Sequence, residues 1–346
     1  MATRDVIVIG GSAGSIEAAC VLFAALPADL DAAVFLVVHL PADAHSVLPD
    51  ILGRAGPLPA AHAVDGEPIS PGRVYVAPPD RHLLLHDGAV RLTRGPKENR
   101  HRPAIDPLFR SAARQYGTRV IGVILSGNQH DGSAGLLRIK QGGGVAIVQD
   151  PESAMFPGMP HSALDSMNAD LVLAPAAMAG ALVRLVAGAP VPPEVTDPMP
   201  SDPPSSLPPE AEVAAEDRKR RDGVPSTQAC PECHGVLWEV EDGGLLEFRC
   251  RVGHGYTAEA LLAHQAEELE VALWSALRAL EEQHALARRL AARSATQGQN
   301  RAAATYAEHA VDAAHHAALI RKALRVPQSE QQLPVGDPAA EAKRAG

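Results

Sequence analysis

The apolar positions of this chain change period along its length, and the changes divide it. From residue 4 to about 188, short unbroken runs of Val, Ile and Leu alternate with stretches of helical period. The runs at 6–9, 33–38, 74–77, 120–125, 145–149 and 171–173 predict buried strands. Residues 83–85 predict another, in a hairpin turning at Asp87-Gly88. Helices are predicted over 15–26, 46–54, 107–116, 132–142, 161–167 and 176–186. Strands without polar alternation need cover on both faces. The predicted fold of residues 1–188 is therefore α/β: a mostly parallel, doubly wound sheet in three αβα layers.

Beyond residue 188 the character changes. Residues 189–228 hold about a third of the chain's 30 prolines and almost no large apolar residue. Such a segment cannot bury a core and reads as a flexible linker. The triplet Lys219-Arg220-Arg221 at its end reads as a solvated cluster. Residues 229–256 form a small Cys/His unit. Residues 257–326 are rich in Ala, Leu, Glu and Arg, and the spacing of Leu262, Leu269, Leu273, Leu280 and Leu290 puts them on one helical stripe. The break at Gln297-Gly298-Gln299-Asn300 predicts a helical hairpin, an oligomerisation or partner-binding module. The tail, 327–346, is expected to be disordered.

Length and composition narrow the classes. The 346 residues exceed what one compact domain needs, and with only 3% aromatics the core must rest on Ala, Val and Leu. A formal charge of −10 argues against a nucleic-acid partner. No run is long and apolar enough for a signal peptide or a membrane span, so a cytoplasmic location without membrane insertion is expected. Of the four cysteines, Cys20 falls in the first predicted helix and reads as a buried small side chain.

Gly10-Gly11-Ser12-Ala13-Gly14 follows the first strand and opens a helix. A serine there is exposed at the carboxyl edge of the sheet, and the free amide of Ala13 suits an oxyanion. Alone, the motif leaves phosphate or nucleotide binding open, although it departs from the dinucleotide pattern and lacks a Walker loop. Two further residues tilt the balance. His39 directly follows the strand at 33–38, and Asp131 follows the strand at 120–125. Strand ends of one polarity share one edge, so Ser12, His39 and Asp131 can meet as nucleophile, general base and orienting carboxylate. The order Ser, His, Asp differs from that of α/β-hydrolases.

Five segments in order resemble the catalytic domain of CheB-type chemotaxis methylesterases: Ile9 to Gly14; Val37-Val38-His39-Leu40-Pro41; Arg102 to Ala113; Leu125-Ser126-Gly127 leading to Asp131-Gly132; and Gln149-Asp150 leading to Gly158-Met159-Pro160. The resemblance implies hydrolysis of γ-glutamyl methyl esters on chemoreceptors or related signalling proteins, with deamidation of glutamines as a second activity. It places the nucleophile on Ser12, the base on His39 and the carboxylate on Asp131, with no cofactor for catalysis. Where the family loop usually reads Gly-Met-Gly-x-Asp-Gly, this chain has Asn128 and Gln129. That change brings in Asn128 as a side-chain donor for the oxyanion, and keeps a catalytically silent binding module of the same fold as an alternative. The chain begins at the catalytic strand, so control by an attached phospho-receiver is not expected.

Cys230-Pro231-Glu232-Cys233 and Cys250-Arg251-Val252-Gly253-His254 give two knuckles, C-x2-C and C-x3-H. Four such ligands predict a closed, structural Zn²⁺ site in a zinc-ribbon-like unit, with His234 as a substitute ligand.

Overall fold

The computed structural model describes residues 4–43, 45–191, 223–242 and 245–324. Its first strands are β1 (Val6–Gly11), β2 (Ala33–Val38), β3 (Ala60–His62), β4 (Val74–Val76), β5 (His82–His86), β6 (Ala89–Thr93), β7 (Val120–Ile124), β8 (Val145–Gln149) and β9 (Leu171–Leu173). Between and after them run α1 (Ser15–Ala24), α2 (Leu48–Ala55), α3 (Ile105–Tyr116), α4 (Ser133–Gln141), α5 (Gly158–Ser166) and α6 (Pro175–Val186).

Seven strands form one sheet in the order β3-β4-β2-β1-β7-β8-β9, and every pairing is parallel. The chain starts in the middle, builds outward through β2, and returns across β1 to β7. The strand order thus reverses at β1, and a crevice forms beyond its carboxyl end.

Both faces are buried, as unbroken apolar strands require. Ile7 and Ile9 of β1 join Leu22 and Phe23 of α1, Leu52 of α2, and Met178 and Leu182 of α6 in one core. Val6 and Val8 face the other way, onto Leu108 and Phe109 of α3, Leu136 and Ile139 of α4, and Met159 of α5. Each large side chain so buried contributes about 1.5–3 kcal/mol. The hairpin of β5 and β6 packs on α3. Its turn residues Asp87 and Gly88 have φ of 48° and 72°, the left-handed pair that a two-residue hairpin turn needs.

Several boundaries differ from expectation. α3 starts at Ile105, ahead of Pro107, and α5 at Gly158, ahead of Pro160. A proline in the first turn forfeits no helical hydrogen bond, so it does not mark the start. Strand β3 has no apolar run of its own and exists through its pairing with β4. Cys20 is half-buried at the rim of the core rather than within it.

A second sheet of four antiparallel strands follows: β10 (Val224–Ala229), β11 (Val236–Asp242), β12 (Leu245–Cys250) and β13 (Gly255–Thr257). It starts at Val224, inside the stretch read as linker. Residues 192–222, with Lys219-Arg220-Arg221, and the tail after 324 lie outside the described residues. Leu237, Phe248, Tyr256 and Leu261 give the small sheet its own core. The described residues up to Ala263 form one compact unit that includes both sheets.

The described part of the second unit, His264 to Leu324, is a helical hairpin made by most of α7 (Ala258–Thr296) and by α8 (Asn300–Leu324). Its seam carries Leu277, Ala287 and Ser294 on α7 and Ala310, Ala313 and Ala317 on α8, all buried. The leucine stripe read from the sequence holds only in part: Leu273, Leu280 and Leu290 are half-buried beside the seam, whereas Leu262 and Leu269 are 68% and 62% exposed. Alanine lets the helices approach closely, so the buried stripe is marked by small residues. The ring of His284 adds a hydrogen bond from Nδ1 to the carbonyl of Ala310 at 2.7 Å. Among the described residues no helix is long and apolar enough to cross a membrane.

Candidate active site

Gly11 at the end of β1 pairs with Val38 at the end of β2, and the His39 amide donates to Gly11 O at 3.2 Å. Ser12 and His39 therefore leave the sheet side by side. The turn around Ser12 is held from three directions. Its amide donates to Ser126 O at 3.0 Å, and its carbonyl accepts from Ser15 N at 3.1 Å and Ser15 Oγ at 2.5 Å. Gly14 has φ 71°, and a Cβ there would lie 2.8 Å from both Met155 Cβ and Ser126 Oγ. Ser126 Oγ donates to Ala13 O at 2.9 Å and accepts from Phe156 N at 3.0 Å, joining the serine turn to the loop before α5. The amide of Gly127 is taken by Phe156 O. The amide of Ala13 has no acceptor among the described residues.

Asp131 lies beyond β7 and is 1% exposed. Its Oδ2 accepts from His39 Nε2 and from Ile105 N, both at 2.7 Å. Its Oδ1 accepts from Asn99 Nδ2 at 2.9 Å and Asp106 N at 3.3 Å. Two of these donors are the first amides of α3, where the helix dipole favours an anion. Burial pushes the carboxyl up, but the hydrogen bond and charge of His39 and the Ile105 amide outweigh it and hold Asp131 at about 2. The neighbouring Asp106 goes the other way. Burial, and then the charge of Asp131, raise it well above the usual carboxylate range. It accepts from Asn99 Nδ2 at 2.9 Å and Gly135 N at 2.7 Å.

Of the residues singled out from the sequence, His39 and Asp131 are hydrogen-bonded and Ser12 stands on the adjoining strand end. Ser12 Oγ makes no hydrogen bond among the described residues. His39 Nδ1 is buried without a partner. Asn128 is exposed on its loop, and its side chain makes no hydrogen bond among the described residues.

Two residues escaped the sequence reading. Asn99 bridges the two carboxyl groups just described. His101 stacks on the His39 ring, with centroids 3.5 Å apart and planes 8° from parallel. Its Nε2 donates to Oε1 of Gln129 at 2.8 Å. Burial, then the neighbouring His39, lower His101 to about 4, so it is neutral at pH 7. Asn99, Arg100 and Gln129 have φ of 46°, 72° and 77°. Only the asparagine type gave a hint, since Asn tolerates left-handed backbone better than most residues.

The profile of the CheB methylesterase family matches residues 7–182, half of the chain. A putative protein-glutamate methylesterase/protein-glutamine glutaminase of Leptospira interrogans is 38% identical over 182 residues, covering 52% of this chain and 94% of its own. The chain belongs to the CheB methylesterase family. The catalytic domain of the Thermotoga maritima CheB methylesterase superposes with a TM-score of 0.51 at 34% identity, covering 53% of this chain and all of that one. A protein-glutamate methylesterase/protein-glutamine glutaminase of Chromohalobacter salexigens is 40% identical over 168 residues, 47% of each chain. The chain thus spans about half the length of such longer CheB relatives.

The Cys/His unit lies outside the family match. Ligand atoms of Cys230, Cys233, Cys250 and His254 all fall within 4.8 Å of one another. Cys230 Sγ and Cys250 Sγ each lie 3.5 Å from His254 Nδ1, and Cys233 Sγ lies 3.5 Å from Cys250 Sγ. A tetrahedral ion with metal–sulfur distances near 2.3 Å needs edges of about 3.5–3.8 Å, so the donor set fits. His234 is not a member of the cluster.

Proposed function

We propose that the chain is a serine hydrolase that removes methyl groups from γ-glutamyl methyl esters of chemoreceptors or related signalling proteins, in the cytoplasm, and deamidates glutamines by the same route. The observation that carries this reading is the 2.7 Å bond between His39 Nε2 and the ionised Asp131, beside Ser12 at the switch point of the sheet. With its proton on Nε2, His39 keeps the Nδ1 lone pair as the base.

Ser12 Oγ attacks the ester carbonyl carbon and gives its proton to His39 Nδ1. Asp131 stabilises the imidazolium that results. The tetrahedral oxyanion is met by the Ala13 amide, with Asn128 as a side-chain donor from the facing loop. Collapse breaks the bond to methoxide, which takes the proton from His39 and leaves as methanol. Water then attacks the acyl-serine with His39 as base, releasing the glutamate carboxyl and restoring Ser12. For a glutamine the leaving group is ammonia.

Two features support hydrolysis over phosphate binding. Ser15 Oγ turns back onto Ser12 O, and the space beside Gly14 is filled by Met155 and Ser126. The glycines serve internal packing rather than an open cradle. We further assign Cys230, Cys233, Cys250 and His254 to a structural Zn²⁺, which when bound ties the two knuckles together.

Methanol release from a methylated receptor tests the activity. Ser12→Ala is expected to lower kcat by about 10⁴-fold or more. Equal rates in the two proteins would overturn the mechanism.

A further inference from the structure

The loop that carries Asn99 is gripped from outside the parallel sheet. Glu98 forms a parallel bridge with Gly255, the Asn99 amide donates to Gly255 O at 2.9 Å, and Thr257 N donates to Asn99 Oδ1 at 3.2 Å. The Glu98 carboxylate is shared between Arg110 of α3 at 2.7 Å and Arg249 of β12 at 3.3 Å. Lys97 Nζ reaches Glu232 at 3.5 Å.

The residues that make these contacts from the small sheet stand beside the Cys/His donors. Glu232 lies between Cys230 and Cys233, Arg249 precedes Cys250, and Gly255 follows His254. On the inner side, Asn99 is 5% exposed and its amide has one orientation that satisfies everything around it. Oδ1 takes the Thr257 N–H, so Nδ2 must point inward, where it donates to Asp131 Oδ1 and Asp106 Oδ2, each at 2.9 Å.

We propose that Asn99 is a positioning residue for Asp131, set by the Cys/His unit, so that esterase turnover depends on a metal ion held by Cys230, Cys233, Cys250 and His254. The proposal rests on the reading of Asp131 as the carboxylate that orients His39. The metal fixes the knuckles, the knuckles place Gly255 and Thr257, and these hold two successive left-handed residues, Asn99 and Arg100, in a conformation they would otherwise leave. Without that grip Asp131 loses a buried donor, and His101, in the same loop, loses its register under the His39 ring. The unit acts on the rate although it touches no reacting atom.

The full chain is loaded with one equivalent of Zn²⁺ and then stripped with 1,10-phenanthroline. Methanol release and the low-field proton resonance of the His39–Asp131 hydrogen bond are followed together. Stripping is expected to lower kcat about ten- to a hundredfold, the effect of losing one hydrogen bond to a buried charge. KM should stay within about twofold, the resonance should shift, and added Zn²⁺ should restore both. Asn99→Ala is expected to reproduce most of the loss with the metal still bound, and stripping that variant should cause a clearly smaller further loss than stripping wild type, through the backbone contacts that remain. Unchanged kcat and resonance after verified removal, equal losses on stripping wild type and Asn99→Ala, or failure of the chain to bind Zn²⁺ overturns the proposal. If the wild type releases no methanol, the esterase reading has failed. The resonance then decides alone: a shift on stripping supports the brace, and none refutes it.

Discussion

Gln129 shows what a single residue can carry. It stands at φ 77°, in a loop position where the CheB pattern usually has glycine. A non-glycine residue there costs about 1–2 kcal/mol. The hydrogen bond from His101 Nε2 to its Oε1, at 2.8 Å, offsets part of that cost and fixes the ring stacked on His39. Gln129→Gly is therefore expected to leave stability within about 1 kcal/mol of wild type, since strain relief and the lost bond oppose each other. It should lower kcat severalfold as the His101 ring loosens. Urea unfolding and methanol release check the two halves, and a stability loss above about 3 kcal/mol would contradict the balance. The placement of Ser12, His39 and Asp131 at one edge of the sheet was legible because each follows a recognisable strand. Asn99 and His101 were not, because their roles come from contacts between loops, which leave no period in the sequence.

At the scale of elements, the strands were legible where the packing is two-sided. Continuous Val, Ile and Leu in β1, β2, β7 and β8 mark strands covered on both faces, and Asp87-Gly88 marks its hairpin turn. Strand β3, made by its neighbour, carried no such mark. The helical hairpin formed as its break at 297–300 predicts, but its seam was only partly legible, for a different reason. Periodicity weights large apolar residues, whereas this seam is set by Ala310, Ala313 and Ala317, with Leu262 and Leu269 left outside. The distinction has a direct consequence. Ala313→Glu should destabilise the hairpin by about 1–3 kcal/mol, because a carboxylate must be buried or the helices must part. Leu319→Glu, at a position 54% exposed, should cost less than about 0.5 kcal/mol. Thermal melts followed by circular dichroism compare them, and equal effects would show that the seam lies elsewhere.

For the molecule as a whole, the buried titratable groups around the site set the response to acid. His82 accepts from Ala104 N through Nδ1 and donates to Pro96 O through Nε2, an arrangement only the neutral ring can make. Burial, the largest influence, lowers its pKa, and burial and His39 lower His101 to about 4. In the unfolded chain both rings bind protons near 6.5, so from 6.5 down to about 4 the unfolded state takes up more protons than the folded one. Stability must fall across that window as the pH drops. Asp131 continues the fall: its ionised form is favoured in the folded state, so its contribution is present above 3.8 and lost as the pH drops toward about 2. Asp106 has the opposite sign. Its raised pKa contributes stability below 3.8 that is lost as the pH rises through its folded value. Above 3.8 Asp106 therefore works against the slope set by the two rings. Melts between pH 4 and pH 8 are expected to show the acid slope, with His101→Phe, which keeps a flat ring against His39, making it shallower. Asp106→Asn, locked neutral, should remove the opposing contribution and make the acid slope steeper. A melting temperature of the Asp106→Asn variant that rises on acidification from pH 6.5 to pH 4 would show that these rings are not held neutral, and with it the buried hydrogen-bond network around Asp131 would need to be redrawn.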